Sequence, residues 1–247
     1  MEKKECIVFK NATLGYKKSN QNITVLNNIN LNFYTGELVG IVGVNGVGKS
    51  TLLKSISGLL PLLNGKILID GKPVNDYVLN DLAKKIAIVL TEKIGGFNLT
   101  AYDAVAAGQM PYTNSFNRLE KENLHIIEVA IKTCGIQNHQ HKLLNELSDG
   151  LFQKTIIAKA LAQQTPVMLL DEPSAFLDYA SKHELFLLLQ KLSLDENKCI
   201  LVSSHDLDLL LKYCTKLLVI SESTIELIPV SEAKNNKAFL EIGGGFI

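Results

Sequence analysis

The sequence predicts an α/β fold: a parallel sheet flanked by helices, an antiparallel β subdomain ahead of it, and a helical segment inserted within it. Three observations carry that prediction. Residues 43–51 read Gly-Val-Asn-Gly-Val-Gly-Lys-Ser-Thr, a phosphate-loop pattern, directly after the apolar run Leu38–Val42. Val167-Met168-Leu169-Leu170 and Lys198-Cys199-Ile200-Leu201-Val202-Ser203 are continuous apolar runs, as expected of strands buried on both faces. Leu185–Leu192 reads as a crossover helix between them, which gives a βαβ rhythm.

In chain order, the first forty residues suit antiparallel sheet. Ile29-Asn30-Leu31-Asn32-Phe33 alternates with period two, like a half-exposed strand. Thr35-Gly36-Glu37 turns the chain into the strand before the loop. The helix after the loop carries Leu52, Leu53, Ile56 and Leu59, with Gly58 and Pro61 as stops. Lys66–Ile69 followed by Asp70-Gly71 predicts a strand and a tight turn. Helices are expected over 99–108 and 117–134. The second has Asn117 as N-cap, Glu120 three residues on, an apolar face of Ile126, Ile127, Ala130 and Ile131, and Gly135 as its stop. A third runs from Leu151 to Gln164, with Pro166 beyond it. The expected division is a β subdomain and core over about 1–94 and 160–247, with a helical subdomain over about 95–159.

A chain of 247 residues that is 47% hydrophobic can bury a sizeable core. Lys+Arg and Asp+Glu both number 25. That balance argues against nucleic acid as the main partner, because phosphate backbones are bound through clustered cations. Met1–Cys6 lacks the apolar stretch of a signal peptide, and no run approaches the roughly 18 to 20 apolar residues that span a bilayer. Cys6, Cys134, Cys199 and Cys214 show no paired short spacing, so they read as reduced thiols of a cytoplasmic protein rather than zinc ligands.

A strand, a glycine-rich turn and a helix together form an anion cradle. Backbone N–H groups point inward and the helix N-terminus adds its positive dipole end. Gly43, Gly46 and Gly48 allow close backbone approach, Lys49 can reach β- and γ-phosphates, and the Ser50 hydroxyl can ligate Mg²⁺. Asp171 and Glu172 fall at the carboxyl end of a buried strand, where open α/β sheets bind ligands. There Asp171 can hold Mg²⁺, and Glu172 can orient or deprotonate an attacking water. Leu147-Ser148-Asp149-Gly150 opens the third helix, with Ser148 as N-cap and Gly150 leaving N–H groups accessible. This start reads either as an ordinary capped helix or as a second phosphate-binding helix start, which, if the loop at 43–51 already encloses its own phosphates, could serve the γ-phosphate of a partner chain.

Across nearly its whole length the chain resembles the ATP-binding subunit of ABC transporters. The loop at 43–51, Leu147–Gly150 and Leu170-Asp171-Glu172-Pro173 stand in that family's order and approximate spacing. Ser174–Asp178 looks like its dimer-contacting D-loop, and Ser203-Ser204-His205-Asp206 like its switch-histidine segment. The resemblance implies a RecA-like P-loop NTPase core that binds ATP and Mg²⁺. It implies that Tyr16 stacks on adenine and that Gly43 to Thr51, Asn45 included, cradle the phosphates, with Lys49 neutralising charge. It further implies Ser50 and Asp171 on Mg²⁺, Glu172 as base, His205 as γ-phosphate sensor, and Ser148 and Gly150 acting in trans. The implied assembly is an ATP-sandwiched homodimer at the cytoplasmic face of the membrane, on separate permease subunits, with an extracytoplasmic solute-binding protein. Soluble ABC ATPases of repair or translation tend to carry tandem domains or long insertions. A P-loop kinase or GTPase would not need Leu147–Gly150.

Two departures stand out. Asp149 replaces a commoner Gly. Leu-Ser-Asp-Gly with Gln153-Lys154, Asn98-Leu99-Thr100 and Ala107–Thr113 resembles the subset importing iron–siderophore, haem or cobalamin. After Ala87–Leu90, where the family usually places a glutamine, stand Thr91 and Glu92. Either could meet Mg²⁺ through water, and the loop they open is expected to touch the permease.

Overall fold

The computed structural model describes residues 3–18, 21–90, 98–113, 118–221 and 224–243. Thr91, Glu92 and Asn117 lie outside these residues.

The N-terminal half of the β structure is antiparallel: β1 (Glu5–Lys18), β2 (Gln21–Ile29), β3 (Asn32–Tyr34), β5 (Asn64–Ile69) and β6 (Lys72–Pro73). Strand β1 is the hub, pairing with β2 through residues 12–18, with β3 through 5–8, and with β5 along the other edge. The expected single strand over 29–33 is therefore two strands. Asn11 and Asn28 take left-handed φ of 47° and 50° where the register shifts. The Asn11 N–H donates to Asn30 Oδ1 at 2.9 Å, closing the break. Inward alternation still holds across it, with Ile29 and Phe33 both buried. Asp70 and Gly71, at φ of 50° and 81°, form the predicted tight turn between β5 and β6.

The second sheet has the order β11-β10-β4-β9-β8-β7. Its strands are β4 (Leu38–Val42), β7 (Ile86–Val89), β8 (Val167–Asp171), β9 (Cys199–Ser203), β10 (Lys216–Ile220) and β11 (Ile225–Pro229). All pair in parallel except the antiparallel edge β11. Every residue of β4, β8 and β9 is buried, as their unbroken apolar runs require.

Eight α-helices are described: α1 (Lys49–Ile56), α2 (Leu79–Ala83), α3 (Ala101–Ala106), α4 (Lys121–Thr133), α5 (Asp149–Ala162), α6 (Tyr179–Asp195), α7 (Leu207–Tyr213) and α8 (Lys237–Glu241). One face of the parallel sheet packs through Leu169 and Leu201 onto α1 (Leu52, Leu53, Ile56) and the antiparallel sheet (Ile7, Phe33). The other face packs through Leu170 and Val202 onto α5, α6, α7 and α8. A third cluster, Val105, Ile127, Ile131, Ala158 and Ala162, joins α3, α4 and α5.

Helix ends differ from the sequence reading in instructive ways. Helix α1 ends at Ile56, because Gly58 at φ 75° reverses the chain, so Leu59 is left exposed rather than on the apolar face. Helix α3 begins at a Thr100–Asp103 capping box and passes into a 3₁₀ turn over Ala107–Tyr112, which contains Pro111. Helix α4 begins at Lys121, not at 117, because Glu120 and Asn123 form its capping box. Its far end is a Schellman motif: the Ile136 N–H reaches Ile131 O at 3.2 Å around Gly135, at φ 67°. Helix α5 stops at Ala162, with Gln164 in the left-handed region at φ 51°. Helix α6 starts six residues before the apolar stretch that announced it, at the Asp178 N-cap.

Candidate active site

Sheet register builds the site. Asp171 pairs with Ser203 across β8 and β9, and Ser203 pairs with Ile41 across β9 and β4. The carboxyl ends of three adjacent strands therefore finish in a row, and the glycine-rich loop leaves β4 at that edge. This is the crevice position where open parallel sheets hold ligands.

The loop itself is over-determined. Gly46 and Gly48 sit at φ 81° and 117°, a region that favours glycine. A Cβ on Gly48 would also stand 2.7 Å from Val25 Cγ1, because β2 packs directly behind the loop. Val44, Asn45 and Gly46 are exposed at the crest, whereas Lys49 is buried at the start of α1. Lys49 Nζ donates to Gly43 O at 2.7 Å and to Val44 O at 3.4 Å, so the ammonium closes a ring beneath the loop. Burial pushes the Lys49 pKa down, while the neighbouring Glu172 and Asp171 carboxylates pull it back up. Ser50 is exposed on the first turn of α1, and α1 packs against β8, which ends in Asp171.

The acidic pair is fixed by a serine that sequence reading placed in a segment but gave no role. Ser203 Oγ donates to Asp171 Oδ1 at 2.7 Å and accepts the Glu172 N–H at 2.9 Å. Asp171 is 6% exposed and Ser203 is fully buried. Glu172 adopts a left-handed φ of 49°, uncommon for a residue with a side chain and of the kind held where a site over-determines it. That turn carries its carboxylate to His205, whose Nε2 lies 2.6 Å from Glu172 Oε1. The only sequence signal for Ser203 was a hydroxyl at the end of an apolar strand neighbouring the acidic one.

Tyr16, on β1, leaves its ring half exposed and places its hydroxyl 3.1 Å from Thr51 Oγ1 on α1. An aromatic face thus stands beside the loop. Ser148 caps α5 as expected, with its Oγ accepting the Leu151 N–H at 3.4 Å. The helix starts two residues earlier than predicted, at Asp149. A Cβ on Gly150 would meet Phe176 O at 3.4 Å, so this helix start abuts the 174–178 loop of its own chain. The structure therefore brings together residues 43–51, Asp171, Glu172 and His205, with Tyr16 at their edge. It places Ser148 and Gly150 against the neighbouring loop.

The donor set fits a hard divalent cation: one carboxylate already oriented by Ser203 and one exposed hydroxyl, both oxygen ligands. Among the described residues, no helix is long and apolar enough to cross a membrane.

A family model described as ABC transporter matches residues 26–175. The chain is 41% identical over 215 residues to the uncharacterised ABC transporter ATP-binding protein MJ0873 of Methanocaldococcus jannaschii, covering 87% of this chain and 73% of that protein. It is 33% identical over 207 residues to the petrobactin import ATP-binding protein FpuC of Bacillus anthracis, covering 84% and 76%. The dimeric structure of MJ0796, a bacterial ABC transporter cassette, superposes with a TM-score of 0.81 at 28% identity, covering 91% of this chain and 98% of that one. The chain belongs to the ABC transporter family as an ATP-binding subunit, an ATPase coupled to transport.

Proposed function

We propose that this chain energises an importer of chelated iron, haem or a corrinoid, binding Mg-ATP at the edge built by β4, β8 and β9. The observation that carries the ATPase chemistry is the Glu172–His205 contact of 2.6 Å beside the loop over Lys49. Backbone N–H groups of residues 43–51 and the Lys49 ammonium hold the β- and γ-phosphates. Tyr16 offers its ring to adenine. Ser50 and Asp171 would hold Mg²⁺, which would supply positive charge to offset that of the phosphates. Glu172 accepts the proton of the attacking water, and His205 fixes that carboxylate and senses the γ-phosphate. Each such proton transfer is worth about 10²–10⁴ in rate.

The second helix start, Ser148 to Gly150, serves the ATP of a partner copy, so two chains close over two nucleotides. The proposed division is a β subdomain and core over about 1–94 and 160–247 with a helical subdomain over about 95–159; α5 crosses the second boundary and packs in both clusters. The assembly works at the cytoplasmic face with permease subunits and an extracytoplasmic binding protein. Thr91 or Glu92 meets Mg²⁺ through water. The cargo class is supported by Leu147–Gly150 with Gln153-Lys154 and by the similarity to the petrobactin import protein.

Glu172→Gln tests the core of this reading. The variant should bind ATP like the parent, lose nearly all hydrolysis, and run as a dimer in size-exclusion chromatography with Mg-ATP. Parental turnover in that variant would remove Glu172 as the base. Deleting the protein should impair uptake of a siderophore, haem or cobalamin. Impaired sugar or amino-acid uptake with all three intact would remove the cargo class.

A further inference from the structure

We propose that Lys182 is a positioning residue for hydrolysis, holding Asp206 so that the adjacent His205 faces Glu172. The inference rests on the ATPase reading above and adds to it a residue outside the family's motifs. Asp206 is the residue before α7, where an aspartate ordinarily caps its own helix with its carboxylate, a contribution of about 1 kcal/mol. Here that cap is absent. The Asp206 side chain turns instead to α6, where Lys182 Nζ donates to Asp206 Oδ2 at 2.9 Å. Backbone alone supports the start of α7, through Leu209 and Leu210 N–H groups on Asp206 O at 3.1 and 3.2 Å.

The consequence falls on His205. Its backbone lies between Ser204, whose Oγ accepts the Asp206 N–H at 3.1 Å, and Asp206, tethered to α6. Half of the His205 side chain is exposed, so solvent does not fix its direction, yet Nε2 meets Glu172 Oε1 at 2.6 Å. The tether comes from a helix whose own start is rigid: Asp178 caps α6 with both oxygens, accepting the Ser181 N–H and Oγ–H at 2.9 Å each. Hydrogen bonding to Ser181 also holds the Asp178 carboxyl below its ordinary pKa. That start follows the 174–178 loop, which abuts Gly150 through Phe176 O. A connected path thus runs from the Ser148–Gly150 helix start through α6 and Lys182 to His205 and Glu172. The loop at 174–178 reaches Glu172 directly, through the Ala175 N–H on Glu172 O at 3.2 Å, and the ion pair adds a connection from α6 to the His205 side.

Lys182→Met in the full-length chain, with Lys182→Arg beside it, tests this. Lys182→Met should lower kcat about two- to fivefold while KM for ATP and the melting temperature stay close to the parent, the scale of one partly exposed ion pair. Lys182→Arg should restore kcat, because a guanidinium reaches the same carboxylate. Lys182→Met/Asp206→Asn should lose no more than the worse single variant. The ring ¹⁵N resonances of His205 should move in Lys182→Met and return in Lys182→Arg, a readout that needs no turnover. Parental kcat in Lys182→Met, a multiplicative loss in the double variant, or unmoved His205 resonances would each overturn the proposal. Failure of the ATPase reading shows separately, as parental turnover in Glu172→Gln.

Discussion

The Ser203 hydroxyl bridges the backbone of Glu172 and the carboxylate of Asp171, at 2.9 and 2.7 Å, from the neighbouring strand β9. One buried side chain thus sets both acidic residues in register with each other. Replacing it with alanine removes both the bond from the Glu172 N–H and the bond to Asp171 Oδ1, a loss of about 1–3 kcal/mol. Ser203→Ala should therefore lower the melting temperature by several degrees and reduce kcat by roughly tenfold. It should also raise the Mg²⁺ concentration needed for half-maximal turnover. Parental stability together with a parental Mg²⁺ requirement would show that the bridge does not orient Asp171.

Lys49 is charged in a place that disfavours charge. Its pKa is depressed, so its ammonium costs the folded chain stability, and that cost is present at neutral pH. The sign follows from proton binding. Between the depressed folded pKa and the ordinary lysine value of roughly 10.4, the unfolded chain binds more protons, so stability rises with pH across that window. Lys49→Met should bind ATP at least tenfold more weakly, yet melt at a higher temperature than the parent without nucleotide near pH 7. The melting difference should shrink toward pH 10. A Lys49→Met chain that is less stable at pH 7 would show that its bonds to Gly43 O and Val44 O outweigh the desolvation.

The contrast between these residues marks what the sequence could carry. Lys49 and the loop glycines were legible because a strand, a left-handed turn and a helix must follow one another in a short span. The parallel strands were legible because burial on both faces demands unbroken apolar runs. Ser203 was not, since its meaning arises only from the register that sets it opposite Asp171. Helix α6 was half legible: Leu185, Phe186, Leu189 and Leu192 mark its buried face, while its first two turns are polar and half exposed. The start of α4 was misplaced by four residues because two overlapping cap patterns, at 117 and 120, compete in the sequence. The strand expected over 29–33 broke because β1 shifts register, a property of the partner rather than of the segment itself.

Ser148 caps α5 at the surface, and its Oγ holds the Leu151 N–H. Ser148→Arg should fill that helix start with a long side chain while leaving Tyr16 and residues 43–51 untouched. ATP binding by isolated chains should persist within about threefold, since the cradle lies on one chain. Mg-ATP should no longer drive the Glu172→Gln background into a dimer, as read by light scattering. Loss of ATP binding by monomers would place Ser148 in the cis site and reverse the proposed geometry.

Gly108 seats the segment after α3 against the last turn of α5. A Cβ there would stand 2.4 Å from Lys159 O and 3.2 Å from Ala162 Cβ, on the last turn of α5. The segment around it satisfies carbonyls that the helix end would otherwise orphan: Gln109 Nε2 donates to Ala162 O, and the Tyr112 hydroxyl donates to Gln163 O at 2.9 Å. Gln109 is fully buried, and its Oε1 accepts from Asn123 Nδ2 at 2.7 Å, which extends the network to α4. A methyl group at 108 must push this segment off the helix, and the backbone atom it meets cannot turn aside as a flexible side chain would. Overpacking of this kind costs about 1–3 kcal/mol, which for a chain of this length lowers the melting temperature by roughly 2–10 °C. Gly108→Ala should show that loss with ATP affinity unchanged, because the loop at 43–51 stands on the other side of the parallel sheet from α5 and is held by β2, β4 and α1. An unaltered melting temperature would mean that the 107–112 segment is not clamped to α5 through this contact.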